Sequence, residues 1–314
     1  MMDFNFAIYQ ELLKALQSQG FSFQTFADYS EDKAKAKVEV KVKGDAAQPK
    51  PEPQPLILLR HDVESRYGNA LKLAQLQHGL GIRGTYYFRI SPRKGNEAVI
   101  RQIAGMGHEI GYHYDDLTEC RGDYEKAILR FQKNLEYLRQ FGPVTTAAME
   151  GAPLSKFDNR DLWCKSSDEA KVKVKAKVKV EEDSTQPQPQ PQPVSYHYRD
   201  FGILTEPYFD FDFNELFYLT DTGRRWDGWK VSVRDKIPVH QDRWIAQGLV
   251  FQHTADIIKA TRAGTLPPRV MITVHPQRWN DAFLPWAKEL LWQNVKNQGK
   301  LVLVFLRSEV ESRK

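Results

Sequence analysis

Residues that could bind a metal or transfer protons directly follow three short apolar segments, LILL (56–59), HEIG (108–111) and VMITV (270–274). The residues after these segments are Arg60, His61, Asp62 and Glu64; His113, Asp115 and Asp116; and His275, Arg278 and Trp279. Imidazole and carboxylate groups together are the usual ligands of hydrolytic zinc and of similar divalent metals that keep one position open for water. Such a metal lowers the pKa of bound water from about 15.7 to about 7 and polarises a carbonyl group. The pattern therefore predicts a divalent metal, with zinc as the first candidate.

The two histidines of GHEIGYHYDDL (107–117) are expected to differ in role. His108 stands at the start of an apolar strand pattern and alternates with Ile110, which favours a structural role. His113 ends the same pattern, and Asp115 and Asp116 follow it. His113 is therefore the predicted metal ligand of the two.

Other classes of site and partner find little support in the sequence. No serine or cysteine lies in a nucleophile elbow, and no glycine-rich loop that could bind phosphate is present. Cys120 and Cys164 are the only cysteines, and their separation fits neither a disulfide scaffold nor a zinc finger. The net charge of +5 is spread along the chain without a basic stripe, so nucleic acid is not an expected partner.

Outside two unusual stretches, the sequence alternates between strand and helix patterns. Ile8, Leu12 and Leu16 mark a first helix that ends near Gly20, and further helices are predicted at 69–81, 97–104, 123–141, 243–263 and 281–295. Strands are predicted at 56–59, 84–90, 108–113, 144–150, 216–220, 269–275 and 301–306. Repeated strand and helix units predict an α/β fold with a parallel sheet or barrel, whose catalytic side chains lie at the carboxyl ends of the strands.

The two unusual stretches, 31–55 and 166–193, are versions of one low-complexity pattern. Each has Lys alternating with Val or Ala and ends in a tail rich in Pro and Gln. The alternation is typical of an exposed edge strand or hairpin arm, and the tail of an extended linker. We interpret both as surface insertions, with a docking arm for an acidic partner as the alternative. The remaining ranges are then an N-terminal helical segment (1–30) and the two parts of one domain (56–165 and 194–314).

Residues 1–20 lack the charged start, apolar run and cleavage site of a secretion signal. No segment approaches the roughly 20 apolar residues of a membrane span. A cytoplasmic location is therefore expected, and the oligomeric state stays open.

The residues after the three apolar segments resemble the polysaccharide deacetylase family over most of the chain outside the insertions. GHEIGYH is close to the family's GHEIGNH, LLRHDVE resembles its first motif, and VMITVHPQRW resembles its last. The likeness is greatest to a divergent branch that reads RHDVD, GTYYFR and GYHY. It implies a distorted (β/α)7 barrel that uses a metal to remove N-acetyl or O-acetyl groups from sugars. It also implies that Asp62 and His113 bind the metal and that His275 protonates the leaving group.

The chain departs from the family pattern at two motifs. Leu117 stands where the family has its second metal-binding histidine, so Asp116 or Asp115 is expected to substitute, or else His275 completes the site. His61 stands where the family has its catalytic base. Glu64, two residues after Asp62 and on the same strand face, is the carboxylate alternative. The family's Arg-Pro motif is replaced by MEGAPLS (149–155).

The resemblance implies a carbohydrate or a glycan precursor as substrate, and five residues are candidates for contacting it: Arg60, Arg89, Tyr114, Arg278 and Trp279. Aromatic faces pack against the apolar side of a pyranose, although a packed rim would show the same residue types. LTDTGRRWDG (219–228) is either a substrate loop or an ion-paired surface loop. The predicted activity is a metal-dependent deacetylase acting on an acetamido sugar. The alternatives are an inactive carbohydrate-binding or scaffold protein, and hydrolysis of a different amide or ester.

Overall fold

A curled parallel β-sheet forms the centre of the protein in a computed structural model. The structure describes residues 2–43, 54–90, 96–163, 196–227, 230, 232 and 237–312. The strands are β1 (Ser22–Gln24), β2 (Leu56–Val63), β3 (Thr85–Phe88), β4 (Glu109–Tyr114), β5 (Ala147–Met149), β6 (Phe217–Thr220) and β7 (Arg269–Val274). They follow the order β5-β4-β3-β2-β7-β6, and the short β1 pairs with the first half of β2. The predicted α/β class with a parallel sheet is confirmed, in the form of a half-barrel.

Ten α-helices lie within the described ranges. They are α1 (Phe6–Ser18), α2 (Phe26–Lys43), α3 (Tyr67–Gly79), α4 (Glu97–Gly105), α5 (Asp116–Glu119), α6 (Tyr124–Arg139), α7 (Pro207–Asp210), α8 (Pro238–Ala246), α9 (Thr254–Arg262) and α10 (Phe283–Ser312). Side-chain caps start two of the helices that apolar spacing predicted, α1 and α6. Asn5 accepts a hydrogen bond from the Ile8 amide at α1, and Asp123 accepts one from the Lys126 amide at α6.

Two predicted elements are wrong, and one strand was not predicted. Residues 301–306 belong to α10, not to a strand, because a short apolar run fits a helix as well as a strand. The seventh strand is instead β1, which sequence patterns missed. The helix predicted at 243–263 is two helices, α8 and α9, with Gly248 between them at φ +74°.

The described part of the first low-complexity stretch, residues 31–43, is a helix and not an edge strand. Residues 31–43 continue α2, since Lys, Ala and Glu are strong helix formers and can override the Lys-Val alternation. Residues 44–53 and the whole second stretch at 166–193 lie outside the described residues.

The sheet is buried on both faces. Every residue of β2 is buried, and two hydrophobic clusters surround the strands. One combines α1 and α9 with β2, β6 and β7; the other combines α3, α4 and α6 with β3, β4 and β5. Gly111 on β4 allows close packing, because a Cβ there would lie 2.3 Å from the Tyr87 ring. Among the described helices, none has the length and apolar character needed to cross a membrane.

Candidate metal centre

One cavity of about 210 Å³ collects polar side chains from the carboxyl ends of β2, β4, β5, β6 and β7. Its walls include Asp62 and Glu64 from β2 and the turn after it, His113 from β4, Glu150 directly after β5, and His275 directly after β7. Asp221, which directly follows β6, contacts the cavity through His275. Because all strands are parallel, these ends lie at the same edge of the sheet, as the sequence patterns predicted for Asp62, Glu64, His113 and His275.

Glu64, His113 and Glu150 form a group that could hold a metal ion, since one donor atom from each lies within 4.8 Å of the others. The Nδ1 atom of His113 lies 2.9 Å from the carbonyl oxygen of Ala148. A carbonyl oxygen only accepts hydrogen bonds, so Nδ1 carries a proton. In the neutral ring, the lone pair is then on Nε2, which points towards Glu150. Nε2 lies 3.0 Å from Oε2 of Glu150. A histidine oriented in this way through its second nitrogen is typical of metal ligands.

The charges of this group favour a cation between its members. Burial raises the pKa of Glu64, and the neighbouring Glu150 carboxylate raises it further. Burial would also raise the pKa of Glu150, but the charge of His113, whose Nε2 lies 3.0 Å from Oε2, lowers it well below the usual range. Burial alone would lower the pKa of His113, yet Asp62 and Glu150 raise it to about 9. Without a metal, the proton on His113 compensates the carboxylates; a divalent ion would replace it.

The donor set fits a divalent metal with open positions. Oε2 of Glu150 is buried and, despite its nearness to His113, has no hydrogen bond of good geometry within the described chain. Three protein ligands around a cavity leave room for water and substrate, as in catalytic zinc sites. Two carboxylates and one imidazole are compatible with several divalent metals, so the site does not single out zinc.

His275 is held against Asp221 on the other side of the cavity. Nδ1 of His275 lies 2.6 Å from Oδ1 of Asp221, and the second oxygen of Asp221 accepts hydrogen bonds from the His275 amide and from Trp279 Nε1. Burial and the charge of Arg278 would lower the pKa of His275. The Asp221 carboxylate outweighs both, so the pKa is raised. Nε2 then faces the cavity, 3.6 Å from Oε1 of Glu64. His275 can therefore donate a proton towards the metal group.

Asp62 lies between the two cavity histidines and is bound by Arg60. Two hydrogen bonds of 2.7 and 2.9 Å join the Arg60 guanidinium to the Asp62 carboxylate. Burial would raise the pKa of Asp62, but Arg60 lowers it, so the carboxylate is ionised. Its Oδ2 atom is 3.8 Å from Nε2 of His113 and 3.9 Å from Nε2 of His275.

Two of the predicted site residues lie elsewhere. His61 is completely buried on the opposite face of β2 from Asp62, where Nε2 contacts Tyr9 and Gln77 and the ring stacks on Tyr86. Successive strand residues point to opposite faces, and burial lowers the pKa of His61 to about 3. The structure thus corrects the interpretation of His61 as a catalytic base.

Asp116 is also removed from the metal group. It is fully buried and bound by Arg130 at 2.6 Å and by the hydroxyl of Tyr112 at 2.7 Å. Burial raises the pKa of Asp116 to about 7 in spite of Arg130. Neither Asp116 nor Asp115 is among the described residues that line the cavity, so neither replaces the histidine expected at Leu117.

Of the five predicted substrate contacts, Arg60 and Arg278 line the cavity and the others do not, within the described chain. Arg89 pairs with Asp115 and Glu119. Tyr114 and Trp279 are fully buried in the aromatic core, and Trp279 supports the site only through its hydrogen bond to Asp221.

Sequence patterns missed Glu150 as a candidate ligand and left the role of Asp221 open. Both come immediately after a strand, β5 and β6 respectively, which is the same signal that identified Asp62, His113 and His275. The signal is weaker there because β5 and β6 are only 3 and 4 residues long.

Neither a scan against protein-family models nor searches of curated proteins and of solved structures returned a match to this chain.

Proposed function

We propose that the protein is a metal-dependent hydrolase that removes an acetyl group from an acetamido sugar or a related carbohydrate. The observation that carries this proposal is that two groups of functional side chains lie at one cavity. A possible metal group, Glu64, His113 and Glu150, lies in the same cavity as an Asp221–His275 pair, with Nε2 of His275 3.6 Å from Oε1 of Glu64. The sequence likeness to polysaccharide deacetylases around RHDVE, GHEIGYH and TVHPQRW supports the choice of reaction.

In this proposal Glu64, His113 and Glu150 hold the metal, with zinc as the first candidate. When bound, such a metal supplies an activated water and polarises the acetyl carbonyl. The Ala148 carbonyl fixes the ring of His113 so that Nε2 is directed at the metal position. The proposed ligand set shares His113 with the set expected from sequence, but Glu64 and Glu150 replace Asp62 and Asp116.

Asp62 takes the role of general base that the sequence interpretation gave to Glu64 or His61. Arg60 keeps Asp62 ionised and holds its Oδ2 atom close to Nε2 of both cavity histidines. From there Asp62 can accept the proton of the attacking water. His275, protonated and oriented by Asp221, donates a proton to the leaving amine. Proton transfer by a positioned group contributes typically about 10²- to 10⁴-fold in rate.

The observed sheet is a parallel half-barrel, and two features of it support a deacetylase-like barrel. Seven parallel strands curl around the site, and an isolated parallel bridge between Thr146 and Thr205 continues the pairing beside β5. We propose that the chain is a distorted (β/α)7 barrel with low-complexity insertions at 31–55 and 166–193. Arg60, Arg278 and Tyr208 then face the substrate.

The proposal is tested by acetate release from a panel of acetylated sugars. The protein is purified without chelator and assayed before and after metal removal, together with the variant His275→Gln. We expect acetate release that metal removal abolishes and metal addition restores, and a loss of about 10²-fold or more in His275→Gln. Acetate release that persists in fully metal-depleted protein would contradict the proposal.

A non-catalytic carbohydrate-binding protein is the second candidate. The observation in its favour is that both oxygens of Asp62 are bound by Arg60, which lowers its strength as a base. In that case sugars bind with measurable affinity, yet none of them releases acetate in the presence of bound metal. Binding and turnover measured on the same panel separate the two functions.

A further inference from the structure

A second cavity of about 210 Å³ adjoins the metal centre. The two cavities share four wall residues, Glu64, Arg278, Gln293 and Lys296. The rest of the second wall comes from the turn after β2, the turn after β7 and one side of α10. A substrate whose acetyl group reaches the metal centre can therefore extend into the second cavity without leaving the protein surface.

The walls of this second cavity carry three positive side chains from three different elements, namely Arg66, Arg278 and Lys296. Three carboxylates oppose them, and one of these, Asp221, already binds Arg278 with Nη1 2.6 Å from Oδ1. Glu289 lies 3.8 Å from Arg66, and Glu64 belongs to the proposed metal group. Lys296 lies at the boundary of both cavities, and among the described residues no carboxylate oxygen lies within 4.0 Å of its ammonium group. Burial lowers the pKa of Lys296, and Arg278 lowers it further, while Glu289 and Glu64 act in the opposite direction.

Two further wall residues have the properties of sugar contacts. Oε1 of Gln277 is buried, and no donor of the described chain reaches it, so a ligand hydroxyl could supply the missing hydrogen bond. The indole of Trp292 is 58% exposed and lines the cavity, with the Lys296 ammonium 5.7 Å from its ring centroid. An exposed aromatic face next to polar groups suits the apolar side of a pyranose ring.

We propose that the substrate carries an anionic substituent, phosphoryl or carboxylate, which binds to Lys296 and Arg278 in the second cavity. The sugar hydroxyls donate to Gln277, and the ring packs against Trp292. This inference rests on the proposed function for the identity of the ligand as an acetylated sugar. It deepens that function by selecting charged sugars over neutral ones.

The test measures binding and turnover with four probes: N-acetylglucosamine, its 1-phosphate, its 6-phosphate and its 6-uronic acid. The variant is Lys296→Met. Lys296→Arg keeps the charge, and Lys288→Met removes an exposed lysine of the same helix that lies outside both described cavity walls.

We expect at least one charged probe to bind more tightly than the neutral sugar. The Kd of that probe should rise about 10-fold in Lys296→Met, which corresponds to about 1.4 kcal/mol. It should stay near wild type in Lys296→Arg and Lys288→Met, and affinity for the neutral sugar should not change.

The comparison among charged probes shows whether phosphoryl or carboxylate is preferred. Equal affinity for neutral and charged probes would overturn the inference, and so would an equal loss in Lys288→Met. Binding that depends on Lys296 but produces no acetate would overturn the proposed hydrolysis and leave the anion site supported. The two failures are therefore distinguishable.

Discussion

Two pairs of buried histidines show how surroundings decide chemistry in this protein. His61 and His108 lie in the core, and His113 and His275 lie at the cavity, yet all four residues are at most 5% exposed. The core pair contacts neutral groups: His61 meets Tyr9 and the Thr85 carbonyl, and His108 meets the Ala74 carbonyl. The cavity pair faces carboxylates instead.

The pKa values of the two pairs move in opposite directions for this reason. Burial lowers the pKa of His61 to about 3 and that of His108 to about 4, so both are neutral structural groups. Burial acts on His113 and His275 as well, but Asp62, Glu150 and Asp221 outweigh it. The pKa of a buried histidine is therefore raised here where strand ends place carboxylates beside it.

The largest expected effect is the loss of the metal-facing histidine. Under the proposed function, His113→Ala should abolish stoichiometric metal binding and reduce acetate release by about 10³-fold or more, since one of three proposed ligands is removed. Elemental analysis and kcat/KM measure the two effects. The control variant His108→Ala removes a histidine of the core pair and should bind metal as the wild type does. Loss of metal in both variants to the same degree would remove the distinction between the pairs.

A smaller effect is expected from changing Asp221, which orients His275, the proposed general acid. Asp221→Asn should lower kcat by about 10²-fold with little change in KM, because His275 loses the partner that fixes its tautomer and charge. Metal content should stay at the wild-type level. A variant with unchanged kcat would show that Asp221 serves only to hold Trp279 and Arg278.

The core pair should affect stability without affecting chemistry. His61→Phe keeps a ring to stack on Tyr86 but removes the histidine partner of the Thr85 carbonyl, of the Tyr9 hydroxyl and of Gln77 Nε2. We expect the free energy of unfolding at pH 7 to fall by about 1 to 3 kcal/mol, with normal metal content. Urea denaturation measures the change. Reduced metal content in the folded variant would place His61 in the site after all.

The smallest effect concerns acid stability. Folded His61 and His108 take up protons only near pH 3 to 4, whereas an unfolded histidine does so near pH 6.5. Between these values the unfolded chain binds more protons, so the free energy of unfolding decreases on acidification from pH 6.5 by about 1.4 kcal/mol per pH unit for each histidine. His113, with its raised pKa, acts in the opposite sense, losing its contribution as the pH rises through about 9.

The deficit of His61→Phe relative to wild type should therefore shrink between pH 7 and pH 5, because the variant lacks one of the histidines that resist protonation. Denaturation midpoints at several pH values test this. A deficit that stays constant would mean that folded His61 titrates at its ordinary pH.

Strand ends were predictable from the sequence because an abrupt change from apolar to polar residues is a local signal. That signal located Asp62, Glu64, His113 and His275 at one edge of a parallel sheet. Strand alternation also indicates that His61 faces away from Asp62 and Glu64, so its position on the other face could have been read from spacing alone.

Long-range partners could not be predicted in the same way. Arg130, on α6, binds Asp116 in the core, and nothing in DDL (115–117) indicates this contact. Similarly, the short strands β5 and β6 provide weak patterns, which is why Glu150 was missed and Asp221 stayed undecided. The choice between helix and strand for 301–306 depends on the length of α10, which begins at Phe283.

The most direct test of the metal centre is the metal stoichiometry of two carboxylate variants, Glu150→Gln and Asp116→Asn. Each is measured by elemental analysis after equilibration with zinc, manganese and cobalt, with circular dichroism to verify folding. The structure predicts that Glu150→Gln loses bound metal and that Asp116→Asn keeps about one ion per chain. Metal retained by Glu150→Gln and lost by Asp116→Asn would contradict the Glu64, His113 and Glu150 site.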